Sequence, residues 1–142
     1  VQKYQDMVKQ YPDDIQILNN LAWILQEHDK NYDESLSMID RALKIAPDDI
    51  NLLDTKAVIL SNMGTRLEDA KDTYEKLVTL IQADNKLKAT ALLQLGRICS
   101  KLNDTSKAKQ YFQEANTIDS QKNIFTTAER TEITNFLKSK DI

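Results

Sequence analysis

Apolar residues recur at intervals of three and four along most of the chain, as in Leu18, Leu21, Ala22 and Leu25, and again in Leu36, Ile39 and Leu43. That spacing puts one apolar stripe on each of a series of α-helices. Polar stretches at Asp29 to Asn31, Gly64 to Arg66 and Asn103 to Thr105 interrupt it, and each predicts a turn between two helices. The pattern also repeats. Pro12-Asp13-Asp14-Ile15 returns as Pro47-Asp48-Asp49-Ile50, and at the same offset of 35 Leu18 matches Leu53, Ala22 matches Ala57 and Leu43 matches Val78. A third copy carries Leu92, Leu95, Gly96, Cys99, Ala108, Phe112, Ala115 and Ile118. Its first helix is displaced by 39 from the second copy, about one helical turn more than 35, with the added residues around Ile81 to Lys88. The carboxylates that follow each proline suit helix N-caps, where they accept from exposed backbone N–H groups. One helix pair cannot bury its own apolar face, but stacked copies can, so the pattern predicts an all-α chain built as an α-solenoid of antiparallel helix pairs.

Composition narrows the class. The 142 residues include only two glycines and two prolines, too few turn residues for a sheet protein of this size. Nineteen basic against twenty-two acidic residues give a net charge of −3, which argues against a general nucleic-acid binder. The charge is unevenly spread: residues 12–84 carry −8 and residues 85–142 carry +4. One cysteine allows no internal disulfide, and no apolar run approaches the roughly 18 residues that a membrane span needs. The sequence opens at Val1 without a basic-then-apolar leader. Cytoplasm and bacterial cell envelope both remain open as compartments.

Leu92-x-x-Leu95-Gly96-x-x-Cys99 followed by Ala108-x-x-x-Phe112-x-x-Ala115 resembles a tetratricopeptide repeat, with cysteine where an aromatic is common. The earlier copies resemble it through Leu53, Ala57, Leu60, Ala70 and Tyr74, and through Leu18, Ala22, Leu25, Ser35 and Ile39. Lys56 and Leu77 depart from the usual leucine and alanine. The resemblance implies one domain over 1–142: a helix of a preceding repeat at 1–12, repeats at 14–47, 50–84 and 89–122, and a capping helix at 126–139. It also suggests a piece of a longer array. The run Leu18-Asn19-Asn20-Leu21-Ala22-Trp23 is similar to terminal repeats of bacterial members, some of them linked to envelope systems.

Catalytic chemistry is hard to assemble from these residues. His28 is the only histidine, and its neighbours Glu27 and Asp29 read as helix-end residues. Cys99 lies on an apolar stripe between Leu95 and Leu102, where a small buried hydrophobe fits better than a nucleophile. No glycine-rich phosphate loop occurs. The expectation is a non-enzymatic chain with no catalytic, cofactor or metal residues.

In the family that the sequence resembles, the first helix of each pair lines a concave groove that receives peptides or partner segments. Carried over by register, the groove candidates are Asn19, Asn20, Trp23 and Glu27 in the first copy, Asp54, Thr55 and Val58 in the second, and Gln94, Arg97 and Lys101 in the third. Asn20, Thr55 and Gln94 fall on equivalent places and form either a ladder for a ligand's main chain or a solvated face. Trp23 is either a groove anchor or core at a helix junction. Arg97 and Lys101 point to a ligand with its acidic part on the third copy. The lysine, asparagine and arginine of the carboxylate clamp that grips chaperone tails are missing: Asn19, Trp23, Thr55, Thr90 and Gln94 stand there. The expected partner is a protein or peptide, with neighbouring repeats or self-association in a scaffold as the alternative. Neither nucleic acid nor direct membrane insertion is expected. Pentatricopeptide-type RNA binding is the third reading, disfavoured by the acidic first two copies.

Overall fold

The computed structural model describes residues 2–139; Val1 and residues 140–142, which the single-domain expectation includes, lie outside the described residues. Among the described residues there are eight α-helices and no strand. They are α1 (Gln2–Gln10), α2 (Ile15–Glu27), α3 (Tyr32–Ile45), α4 (Ile50–Met63), α5 (Leu67–Leu80), α6 (Lys86–Lys101), α7 (Thr105–Lys122) and α8 (Thr127–Ser139). The fold class is all-α, as the periodicity predicts.

Local chemistry sets the helix ends. Asp14 and Asp49 each accept two backbone N–H bonds, from Gln16 and Ile17 and from Asn51 and Leu52, so the repeated Pro-Asp-Asp motif starts α2 and α4. Asn31, Asn85 and Asp104 do the same work for α3, α6 and α7 with one backbone bond each. A reciprocal capping box opens α8: Glu129 N–H donates to Thr126 Oγ1 at 3.2 Å, and Thr126 N–H donates to Glu129 Oε1 at 2.9 Å. Gly64 ends α4 at φ +74°, the left-handed conformation in which a side chain is strained.

The chain divides into two compact units, Val1–Thr73 and Tyr74–Ile142, with α5 running across the division. In the first, α2 packs on both α1 and α3, and α4 lies against α3 and α2. Leu18, Ala22, Leu25, Ile39, Ala42 and Ala57 are completely buried there. The Ser35 hydroxyl, itself buried, donates to the Ala22 carbonyl and ties α3 to α2 at a close crossing. On the outside Lys56 of α4 meets Asp40 of α3 at 2.9 Å.

In the second unit α6 packs on α7, and α7 on α8. Gly96 is where α6 and α7 meet: an added Cβ would stand 2.6 Å from the ring of Phe112, which is almost fully buried. Cys99 is buried beside this crossing. The extra residues of the third copy lie inside the helix. Gly96 is ten residues into α6, whereas the equivalent Ala57 is seven into α4, so nearly a full turn has been added at the start of α6. That helix therefore begins at Lys86, ahead of the expected repeat start at 89.

Three side-chain pairs link residues about one repeat apart. Asn62 Nδ2 donates to Gln26 Oε1 at 2.8 Å between α4 and α2, at a separation of 36. Arg97 forms a bidentate pair with Glu132 between α6 and α8, at a separation of 35. The Tyr111 hydroxyl donates to Glu75, at a separation of 36, and burial, then this bond, pushes the phenol pKa up. A repeat period in sequence thus becomes side-by-side placement of equivalent helices.

Candidate functional site

Two hollows hold most of the sequence-predicted residues. The first is a cavity of about 290 Å³ in the first unit, lined by Tyr4 of α1, Asn19, Asn20, Trp23 and Ile24 of α2, and Thr55 of α4. Trp23 is 44% exposed, so it is presented at the surface and not used as core, while its neighbours Leu21 and Ala22 are buried. Asn19 and Asn20 are half-buried. The Asn19 Oδ1 is buried without a hydrogen-bond partner, an arrangement that costs about 1–3 kcal/mol if nothing meets the acceptor. Asn20 Oδ1 already accepts from Gln16 Nε2 at 3.4 Å.

Thr55 corrects the picture of a uniform polar ladder. It is only 6% exposed, and its hydroxyl donates to the Asn51 carbonyl one turn back. Its proton is used within α4, and only its rim reaches the hollow. Glu27 is exposed at the end of α2 and accepts from Gln26 Nε2 at 3.3 Å. Asp54 and Val58 are half-buried on α4. Burial raises the Asp54 carboxyl above its ordinary range.

The second hollow, about 700 Å³, opens in the second unit among α6, α7 and α8. Its floor is aromatic, Phe112 against Phe136 with ring centroids 4.8 Å apart at a tilt of 57°. Arg97, Ser100 and Lys101 form one wall, and Glu132 and Asn135 face them. Arg97 Nε and Nη2 donate to the two Glu132 oxygens at 2.8 and 2.7 Å. The pairing lowers the Glu132 pKa and raises that of Arg97. Arg97 therefore already holds an acidic partner supplied by this chain. Lys101 is exposed and ion-paired to nothing among the described residues. Gln94 is half-buried one turn before Ile98 and does not line this hollow.

Tyr4, Ile24, Phe136, Glu132 and Asn135 are not among the groove candidates carried over by register. The readable signal was the offset of 35 between Arg97 and Glu132, the same as the repeat period, which places a residue of α8 where the next copy's equivalent would stand.

A family model described as "Tetratricopeptide repeat" matches at residues 15–49 and 89–122. Those two stretches are tetratricopeptide repeats. A solved structure described as "MamA MSR-1 C2" is 18% identical, with a TM-score of 0.71 over 84% of this chain and 65% of that one. A second, described as "Crystal structure of YrrB: a TPR protein with an unusual peptide-binding site", is 17% identical, with a TM-score of 0.76 over 97% of this chain and 66% of that one. At these identities the likeness is one of fold, and the chain spans about two thirds of either neighbour. No curated protein matches in sequence. Tetratricopeptide repeats serve in general as protein-interaction scaffolds and not as enzymes, and this chain is an interaction module in that general sense.

Within this tetratricopeptide framework His28 is an exposed C-cap residue of α2 and Cys99 is buried, so neither stands in either hollow. Among the described residues no cluster of three or more histidine, cysteine or carboxylate side chains is placed to hold a metal ion. No described helix is long and apolar enough to cross a membrane.

Proposed function

We propose that this chain is a non-enzymatic module that binds an extended segment of a partner protein, with Trp23 as its anchor. The observation that carries the reading is the half-exposed indole at the mouth of a hollow walled by the carboxamides of Asn19 and Asn20. An amphipathic ring gives a large contact area at low entropic cost, and carboxamides both donate to and accept from a ligand main chain. Asn19 supports it further: rotation about its broad terminal torsion would bring the unpartnered oxygen to a ligand N–H. Glu27, Asp54, Thr55 and Val58 are proposed to border this contact. Gln94, Arg97 and Lys101 of α6 are proposed as contacts for the same class of ligand, with Lys101 favouring acidic residues. One fold neighbour is described as having a peptide-binding site, which agrees with this reading.

Selection of a displayed random peptide library on the immobilised chain tests it. Recurrent sequences are expected to bind wild type and to be lost on Trp23→Ala and Asn19→Ala variants whose circular dichroism is unchanged. Selected peptides that bind both variants as well as wild type would move recognition away from α2.

A further inference from the structure

The hollow of the second unit has a composition that selects its occupant, and the inference drawn from it rests on the interaction-module reading above. Its floor is the half-buried Phe136, backed by the almost fully buried Phe112, and it offers apolar surface at the base of a cavity of about 700 Å³. That space accommodates a large side chain together with a stretch of main chain. The rim is polar and unequal in charge. Arg97 and Glu132 neutralise each other in a bidentate pair, which leaves Lys101 as the uncompensated charge of the lining. Arg97 uses Nε and Nη2 on Glu132, and a guanidinium has five N–H groups, so its outer nitrogen is left over for a second acceptor. Ser100, Asn135 and Ser139 add neutral hydrogen-bonding groups around the mouth. The unit as a whole has the same polarity: residues 74–142 hold eleven basic and eight acidic residues, a net +3, whereas residues 1–73 hold eight and fourteen, a net −6.

We infer that this hollow is a docking site for a partner segment in which one aromatic side chain is followed directly by acidic residues. The aromatic ring lies on Phe136, where apolar burial and edge-to-face contact both favour it. The carboxylates that follow meet Lys101 and the outer edge of the Arg97 guanidinium, and complementary charge fixes the direction of the segment. A basic segment is disfavoured because it would set its cation against Lys101 while the Glu132 carboxylate of the lining is already held by Arg97. The Arg97–Glu132 pair acts here as a rigid wall, which holds the guanidinium in place before any ligand arrives.

The test is a nuclear magnetic resonance titration of the isotope-labelled chain at low salt with acetyl-Phe-Glu-Glu-amide. Two controls, acetyl-Ala-Glu-Glu-amide and acetyl-Phe-Gln-Gln-amide, remove the ring and the charge in turn. Saturable shifts are expected at the amides of residues 97–101 and 132–139, with each control binding roughly fivefold more weakly. Lys101→Glu, at an exposed position, is expected to keep the wild-type spectrum elsewhere and lose the shifts. Ser100→Trp, which fills the mouth, is expected to do the same without a change of charge. Equal binding by the uncharged control, or shifts that persist in Lys101→Glu, would overturn the assignment. Shifts confined to Asn19, Asn20 and the Trp23 indole would overturn it too, and would leave the interaction-module reading standing. An absence of shifts at any site overturns the docking site alone, because the library selection on Trp23 tests the broader reading separately.

Discussion

The two units use the same helix-pair plan and solve its tightest point in different ways. In the first, α2 and α3 approach through the small residues Ala22 and Ser35, and a buried hydroxyl bond locks the crossing. In the second, α6 and α7 approach through Gly96 and a full phenyl ring, with no room left for even a methyl group. The first solution keeps the aromatic residue for the surface, where Trp23 stands half-exposed in a polar, acidic unit. The second puts Phe112 into the crossing, and the floor it shares with Phe136 becomes an apolar hollow in a basic unit. One repeat template thus yields two surfaces of opposite chemistry, and the choice is made by which position holds the large ring.

The largest expected effect breaks the second crossing. Gly96→Leu forces several atoms into space already filled by Phe112 and is expected to cost roughly 3 kcal/mol or more in urea denaturation, with hydrogen-exchange protection lost in α6 and α7. Unchanged unfolding would show that the crossing is loose. Removing the lock of the first unit is milder: Ser35→Ala is expected to cost about 1 kcal/mol.

Between these two in size is Asp119, which closes the turn between α7 and α8. Its carboxylate is 5% exposed, accepts the backbone N–H groups of Ile124 and Phe125 at 2.8 and 2.7 Å, and pairs with Arg130 at 2.6 Å. Asp119→Ala orphans both amides and is expected to cost roughly 2–3 kcal/mol. The bond to Arg130, first, and the two backbone bonds hold its pKa down to about 2, against an ordinary 3.8. A depressed folded-state pKa gives stability that is fully present above the unfolded value, and acidification from about pH 4 to about pH 2 removes it. Glu132, lowered by Arg97, has the same sign. Acid titration of the unfolding midpoint, with Asp119→Ala losing this limb, measures the effect.

The smallest effect has the opposite sign and lies in the first unit. Burial raises the Asp54 carboxyl, so its ionised form weighs against folding above the unfolded pKa, and the penalty is relieved as pH falls through the raised value. Asp54→Asn is therefore expected to stabilise slightly at neutral pH, with the gain vanishing in acid. A loss of stability at neutral pH would mean that the charged form is held by a favourable contact.

These contrasts were only partly legible in the sequence. The helices, the two Pro-Asp-Asp caps and the all-α class follow from periodicity and local hydrogen bonding, which residues close in sequence decide. Trp23 stood as anchor or core on pattern alone, because an indole suits both; only its exposure distinguishes them. Thr55 kept its register but not its free hydroxyl, since a threonine inside a helix bonds its own backbone one turn back. The hollow of the second unit needed the tilt of Phe136 onto Phe112, a contact between residues 24 apart that no motif spells out. Glu132 in front of Arg97 was hidden for the opposite reason: it obeys the repeat offset, but in a helix whose own sequence shows little of the repeat.

The single tryptophan gives the most direct test of the account, because its fluorescence belongs to the proposed anchor alone. Acrylamide quenching of Trp23 is to be measured with and without a peptide selected on the wild-type chain. The account predicts an accessible indole in the free chain that becomes strongly protected, with blue-shifted emission, as the peptide saturates. A bound peptide that leaves quenching and emission unchanged would contradict it.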